Sequence, residues 1–500
     1  MFYFITSRQD RLTSAIELAQ AQRLKIFDHL KQPAKIITLE YNHAHYEVEK
    51  KLDIEGRVVN LFQYFQQLPY QNTGDDQQII DKILHQPGFT VKGNVAYQDD
   101  KERIKVVMNG DRLYYVDYLD RFGFTDRRDF YDQGCLSYTE FYEDRARMVT
   151  RQYYDGKGRV KLVYHYRGGE NNVAVLTLIQ LNDQGNMYQF DNEMGLRAHF
   201  LDRLLSESSH PVLINDRSDA DFAAFRLMKT HVPCYQVFHS TYTADGDPDG
   251  KLFEVYEPLE KMLQDGQISG LISATKREAQ DAARRFKTSA SYGIPVTYLA
   301  DEQLKKHIPF AKRRPGQLIA VARLTNVKRL DHIINAVILL HAKYPQVDLK
   351  IYGFDDSWDN YATSKSLKRL VKDCKAGDYV HFCGYRHDLT EVYETAQIEV
   401  LTSSYEGFAM ALLEAQGHGC PVVSYDINYG PAEIVDDQVS GRLLPAGDPH
   451  ALYVTLEELL TNPVKLKSYA DHAQAAAAKF SFANVTKQWA NFLDSEGIRE

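Results

Sequence analysis

The chain opens with a short apolar run, MFYFIT. Ile16, Ala19, Leu24, Phe27 and Leu30 follow at near-helical spacing, and KIITLEY at 35–41 is a second extended run. Strand, helix and strand predict one βαβ unit. The alternation resumes after residue 195, where LRAHFLDRLL and FAAFRLMKT read as helical and PVLINDR, CYQVFHS, GLISAT and PVTYLA as extended. Between about 72 and 192 the pattern differs. Turn sequences NGDR, DGKGR, RGGENN and NDQGN separate runs such as RLYYVDYL, RVKLVYHYR and VAVLTLIQL. That spacing predicts an antiparallel β-meander inserted into the first α/β domain. From 311 onward, LIAVARL, VDLKIYGF, YVHFCGY, IEVLTS and CPVVSYD are strands alternating with amphipathic helices. This predicts a second doubly wound parallel sheet, and FSFANVTKQWANFLDS is a last helix. The fold class is α/β with two Rossmann-like domains facing a cleft, where such folds hold ligands.

Composition narrows the function. The 500 residues are 44% hydrophobic and 25% charged, and the net charge of −9 argues against a nucleic-acid partner. The apolar run before Arg8 is too short for a signal-peptide core, and no later segment reaches the length of a membrane span. Five scattered cysteines, never spaced C-x-x-C, fit neither a disulfide framework nor a zinc site. The expected location is therefore the cytoplasm, with room for peripheral association at a membrane.

The chemistry concentrates in SYEGFAMALLEAQGHGCPVVS. Glu406 and Glu414 stand eight apart, which on one helix separates them by about 12 Å. A glycosidase pair needs carboxyls closer than that, about 5–9.5 Å apart. A different arrangement fits better. Gly407 lets backbone approach a ligand, the N–H groups opening the next helix face an anion, and the two carboxylates meet whatever lies before and after that anion. A nucleotide sugar has this order: sugar, diphosphate, ribose. VARLTNVKRLD supplies Arg323 and Lys328, a fork and a point charge for phosphate oxygens. The loop DGDPDG at 245–250 imitates a calcium loop, but its twelfth position is Tyr256 instead of a glutamate, so it reads as a solvated turn.

R-x4-K followed about 80 residues later by E-x7-E, together with GFxxxLLEAQGHGCPVVS and GPAEIV, resembles the retaining GT-B glycosyltransferases of family four. The resemblance covers most of 195–495. The interrupted N-terminal domain and NLFQYFQQLP are similar to the bacterial wall teichoic acid poly(glycerol- or ribitol-phosphate) α-glycosyltransferases and to the enzymes that glycosylate serine-rich repeat adhesins. It implies an N-terminal acceptor-side domain at 1–71 and 193–310, the meander at 72–192, a nucleotide-sugar domain at 311–475, and a helix within 476–500 packing back on the N-terminal domain. It also implies roles. Arg323 and Lys328 hold the diphosphate. Glu406 binds donor sugar hydroxyls and Glu414 the ribose. Phe408, Ala409 and Met410 complete the phosphate nest with Gly407. Tyr385 and the Gly384 turn meet uracil, and His239 lies under the donor sugar. The family's Gly-Gly pair in the first loop is replaced by Asp10, Arg11 and Leu12, leaving Thr13 and Ser14 as that loop's donor-side groups. No metal is implied.

The implied reaction moves glucose or N-acetylglucosamine from a UDP-sugar to a hydroxyl, with retention. The 75–192 segment holds 16 Lys plus Arg against 19 Asp plus Glu, a net charge of −3, which favours a glycosylated serine-rich adhesin over teichoic acid as acceptor. An inactive acceptor-binding partner subunit and a sugar phosphorylase remain as alternatives. The meander is expected to join copies into a homo-oligomer.

Overall fold

The computed structural model describes residues 1–9, 11, 14–69, 75–143, 146–217 and 222–499. Two compact units emerge: 1–21 with 34–232, and 22–33 with 233–500. The expected boundaries at 71, 192 and 310 are not those of the units. Thr13, with Asp10 and Leu12, lies outside the described residues.

In the first unit four parallel strands lie in the order Val212–Asn215, Phe2–Thr6, Ala34–Thr38, Val58–Asn60, with Phe2 facing both Val212 and Ala34. All five residues of Phe2–Thr6 are buried, as expected of a strand covered on both faces. The meander is a ten-stranded antiparallel sheet in which neighbours in sequence are neighbours in space, from Thr90–Lys92 to Asn186–Phe190. Helix Asp76–Leu84, capped by the Asp75 side chain, lays Ile80, Ile83 and Leu84 on Ile104, Val106, Leu113 and Val116. A chain of rings crosses the sheet: Phe130 stacks on Tyr138 at 4.3 Å, Tyr138 meets Tyr153 at 5.2 Å, and Tyr153 meets Tyr164 at 5.6 Å. Phe62, from helix Leu61–Gln66, packs on this chain, 4.9 Å from Tyr153.

The second unit holds parallel strands Cys234–Phe238, Gly270–Ser273 and Ser291–Gly293. PVTYLA, expected to be extended, forms no strand. Pro295 offers no N–H to a ladder, and only an isolated bridge joins Leu299 to Ser481. The last helix, Phe482–Ser495, packs on this part of the chain: Phe492 meets Tyr235 and Tyr292 at 4.9 Å each, and Trp489 meets Phe27 at 5.4 Å. A separate six-stranded parallel sheet runs Val380–Gly384, Asp348–Tyr352, Gln317–Val321, Ile398–Leu401, Val422–Tyr425, Gly441–Leu444. Its final strand was not foreseen in the sequence. The strand order reverses between Gln317–Val321 and Ile398–Leu401, so the loops leaving these two strands diverge and open a crevice.

Candidate active site

Both signatures leave the strands at that reversal. R-x4-K follows Gln317–Val321, and the segment leading to E-x7-E follows Ile398–Leu401. The loops are tied together: the Thr402 hydroxyl donates to the carbonyls of Lys328 and Arg329 at 2.9 Å each, and Ser404 N donates to Val327 O at 2.7 Å. Lys328 ends a short 3-10 turn, Asn326–Lys328, and its Nζ lies 2.6 Å from Glu406 Oε1. The Ser403 hydroxyl donates to the same oxygen at 2.6 Å. A second tie exchanges backbone bonds between Glu406 and the 428–429 segment: Glu406 N to Asn428 O at 2.9 Å and Tyr429 N to Glu406 O at 2.7 Å. Glu406 is thus fixed by its backbone on one side and by a cation and a hydroxyl on the other.

Gly407 is required where it stands. A Cβ there would sit 2.4 Å from the carbonyl oxygen of His239, so only glycine allows the close approach. Phe408 and Ala409 are buried, and Ala409 takes a left-handed conformation at φ 65° that turns the chain into helix Met410–Gly417. Leu412 N donates to Ala409 O at 3.0 Å, and the positive end of the helix follows Glu406 by four residues. Glu414 stands about one turn into the same helix and accepts from the Tyr393 hydroxyl at 3.0 Å. Burial pushes its carboxyl above the ordinary carboxylate range, while the Tyr393 hydroxyl pulls it back.

The structure brings Lys328, Glu406, Gly407 and the His239 backbone together and sets Glu414 on the same helix as the nest. The Arg323 guanidinium lies 2.6 Å from Asp356 Oδ2, and its side chain is 56% exposed. Tyr385 is exposed beside Phe354, ring centroids 6.3 Å apart, after Gly384 at φ 70°. In the first unit, Ser14 caps the first helix. Its N–H donates to Glu17 Oε2 at 2.6 Å and its hydroxyl bonds the same carboxylate, so both polar groups are engaged within the chain.

Four supporting residues escaped the sequence reading. Ser403 and Asp356 hold Glu406 and Arg323, and Asn428 bridges to Gly246 O at 3.1 Å. The fourth, Glu399, is fully buried under Glu414, with Val321 N donating to its Oε1 at 3.1 Å. Nothing in IEVLTS marks its glutamate as buried. The DGDPDG loop is built by internal bonds, Asp247 N to Asp245 Oδ1 at 3.1 Å and Asp249 N to Asp247 Oδ1 at 3.0 Å. Gly246 in that loop lies against Tyr405, beside Glu406.

Residues 301–479 match the family model described as glycosyl transferases group 1. Over 96% of both chains the sequence is 23% identical to the UDP-N-acetylglucosamine–peptide N-acetylglucosaminyltransferase GtfA subunit of Streptococcus gordonii. It is 22% identical, over 95% of both chains, to the poly(ribitol-phosphate) alpha-N-acetylglucosaminyltransferase of Staphylococcus aureus. The crystal structure of TarM superposes with a TM-score of 0.83 at 18% identity, covering 99% of this chain and 98% of that one. The chain therefore has the α/β GT-B fold with an inserted meander, and its residues 301–479 match the group 1 glycosyl transferase model.

Proposed function

We propose that this protein is a retaining hexosyltransferase that moves glucose or N-acetylglucosamine from its UDP-sugar to a hydroxyl of a glycosylated serine-rich repeat adhesin. The observation that carries the reading is the 2.6 Å Lys328–Glu406 pair at the head of a helix that also bears Glu414. In the transfer, the bond from the anomeric carbon to the β-phosphate oxygen breaks and a bond to the acceptor oxygen forms on the same face. The acceptor proton passes to the departing phosphate. Negative charge develops on UDP, so groups aimed at its oxygens before reaction lower the barrier. An ammonium has three N–H donors, and Lys328 can keep Glu406 with one while offering the others to phosphate. Arg323 would exchange Asp356 for the diphosphate. These two cations and the helix N-terminus supply what a divalent ion supplies elsewhere, so turnover should persist in excess EDTA.

The similarity to a peptide N-acetylglucosaminyltransferase and the net charge of −3 on 75–192 support a protein acceptor. The similarity to a poly(ribitol-phosphate) transferase supports teichoic acid as the second reading. UDP-sugars are made in the cytoplasm, which is where this reading places the enzyme. No helix among the described residues is long and apolar enough to cross a membrane. The meander would join copies through Ala174–Leu178, the part of strand Ala174–Asp183 beyond the reach of its neighbour, whose pairing covers only Ile179 to Asp183.

The test is a panel of UDP-glucose and UDP-N-acetylglucosamine against a glycosylated serine-rich peptide and a teichoic acid, read by mass spectrometry. Mass gain of one hexose unit on the peptide is expected. Gain on the polymer alone selects the second reading. Absence of both transfer and UDP-sugar hydrolysis would point to an inactive partner subunit, and turnover of sugar phosphates to a phosphorylase.

A further inference from the structure

Arg8 and Arg11 stand on the wall of a cavity in the first unit. Arg8 and Arg11 rise beyond the carboxyl end of strand Phe2–Thr6, and Asn42 and His43 beyond the carboxyl end of strand Ala34–Thr38. Asn109 and Tyr114 come from the hairpin of Lys101–Asn109 and Arg112–Leu119 in the meander. Together they line a cavity of about 740 Å³. Its size is that of a small-molecule site, and the carboxyl ends of parallel strands are where α/β folds carry ligands.

The charges inside are matched. Arg11 reaches both oxygens of Glu47, at 2.9 and 3.1 Å, and Arg8 lies 3.7 Å from Glu40. Each guanidinium thus has a carboxylate at hand, and the cavity is not an anion trap. Its walls are aromatic: the His43 ring meets Tyr41 and Tyr114 edge-on, at 4.9 Å each. Burial and the neighbouring His45 hold the His43 pKa down at about 4, so the ring is neutral at physiological pH. Its Nε2 is engaged by the Tyr138 hydroxyl at 3.1 Å. Among the described residues the Asn109 carboxamide and the Tyr114 hydroxyl have no side-chain hydrogen bond, which leaves them for a ligand. Aromatic faces for C–H groups, with uncharged amide and hydroxyl groups at the rim, suit a pyranose ring and its hydroxyls.

We propose that this cavity holds a neutral hexose or N-acetylhexosamine unit already present on the acceptor, so that the enzyme elaborates a glycan-bearing acceptor. The proposal rests on the transferase reading above and names the part of the acceptor it recognises.

The experiment is saturation-transfer NMR on the full chain with its donor site filled by excess UDP. The probes are methyl N-acetyl-α-glucosaminide, methyl α-glucoside and ribitol 5-phosphate. One or both glycosides should give transfer and ribitol 5-phosphate none. Tyr114→Ala should weaken glycoside binding by about tenfold, while Tyr114→Phe keeps the ring and most of the binding. UDP affinity by calorimetry should be the same in all three proteins. If thermal melting shows Tyr114→Ala to be unfolded, Asn109→Ala serves in its place with the same expectation. No glycoside signal, a signal from ribitol 5-phosphate alone, or undiminished binding in a folded cavity variant each overturns the proposal. Hydrolysis of UDP-sugars by the unaltered chain is measured beside it. Its absence together with absence of transfer would refute the transferase reading and leave the sugar site standing on its own.

Discussion

The six-stranded parallel sheet and the ten-stranded meander solve the same burial problem in opposite ways. Ile398–Leu401 and Val422–Tyr425 are buried at every position, because helices cover both faces. Such a sheet leaves its ligands the crevice at its strand reversal, so the residues there are tightly specified: a glycine against the His239 carbonyl, a lysine against Glu406, a carboxylate one turn into the next helix. In the meander, Ala174–Asp183 mixes exposed and buried positions, with Val175 48% exposed and Ile179 and Leu181 fully buried. Half of its side chains answer only to the solvent and to whatever docks there. A parallel sheet therefore writes its chemistry at fixed places in the sequence, whereas the meander writes its own as composition.

The largest test of that contrast is Lys328→Ala. If the lysine stabilises charge that develops on departing UDP, turnover should fall by about 10²–10³-fold with UDP affinity changed far less. Unaltered turnover in a stopped assay of UDP release would remove Lys328 from the chemistry. Glu414→Ala should act on binding instead. Losing one charged hydrogen-bond partner of the ribose costs roughly 1.5–3 kcal/mol, about 10–150-fold in the UDP dissociation constant. Calorimetry with UDP alone checks this, and an equal constant would mean that the Tyr393 bond is all Glu414 serves.

These residues were legible because phosphate, ribose and a tight backbone approach each demand particular residue types at particular intervals. R-x4-K, Gly407 and E-x7-E carry those types, and the structure joins Lys328 to Glu406 and Gly407 to the His239 carbonyl. The α/β alternation was legible for the same reason as the core: period and burial coincide in strands such as Phe2–Thr6. What was not legible lies across the sequence. Asp356 engages Arg323 from 33 residues away, and Asn428 reaches Gly246 over 182 residues. Pairings of that range leave no local periodicity. The cavity lined by Arg11 and Tyr114 joins a loop to a hairpin about 100 residues on, and no spacing rule connects them.

A smaller effect separates charge held for structure from charge held for chemistry. Burial raises the Glu399 carboxyl well above the ordinary carboxylate range, against the bond from Val321 N and with the Glu414 charge adding to the rise. A carboxyl whose folded pKa exceeds its unfolded value of about 4.3 stabilises the fold fully at low pH. That contribution is lost as pH rises from the unfolded toward the folded value. Glu399→Gln keeps the acceptor for Val321 and has no proton to lose. Its melting temperature should match the unaltered protein near pH 4 and exceed it at pH 8, by about 2 °C for each kcal/mol regained. A constant difference across that range would show that Glu399 does not titrate in the fold.

The smallest energetic effect falls on the meander and decides its use. Val173 and Val175 are 60% and 48% exposed at the start of strand Ala174–Asp183, and the edge strand Asn186–Phe190 pairs only from Ile179 onward. An apolar, unpaired strand edge is a template for another chain, and a lysine on such an edge is the usual device that blunts it. Val175→Lys removes a side chain that is half exposed, so the stability of the single chain should stay within about 0.5 kcal/mol of the unaltered protein. UDP affinity and UDP-sugar hydrolysis should also be unchanged, because Lys328, Glu406 and Glu414 belong to the other unit. Light scattering should show the assembly fall to single chains. Transfer to a long repetitive acceptor should drop while transfer to a short peptide does not, since several sites on one assembly raise the local concentration of a repeated acceptor. An oligomer that survives Val175→Lys would mean that this edge joins nothing, and the exposed valines would then be ordinary surface residues of a sheet whose one working face is the cavity behind Tyr114.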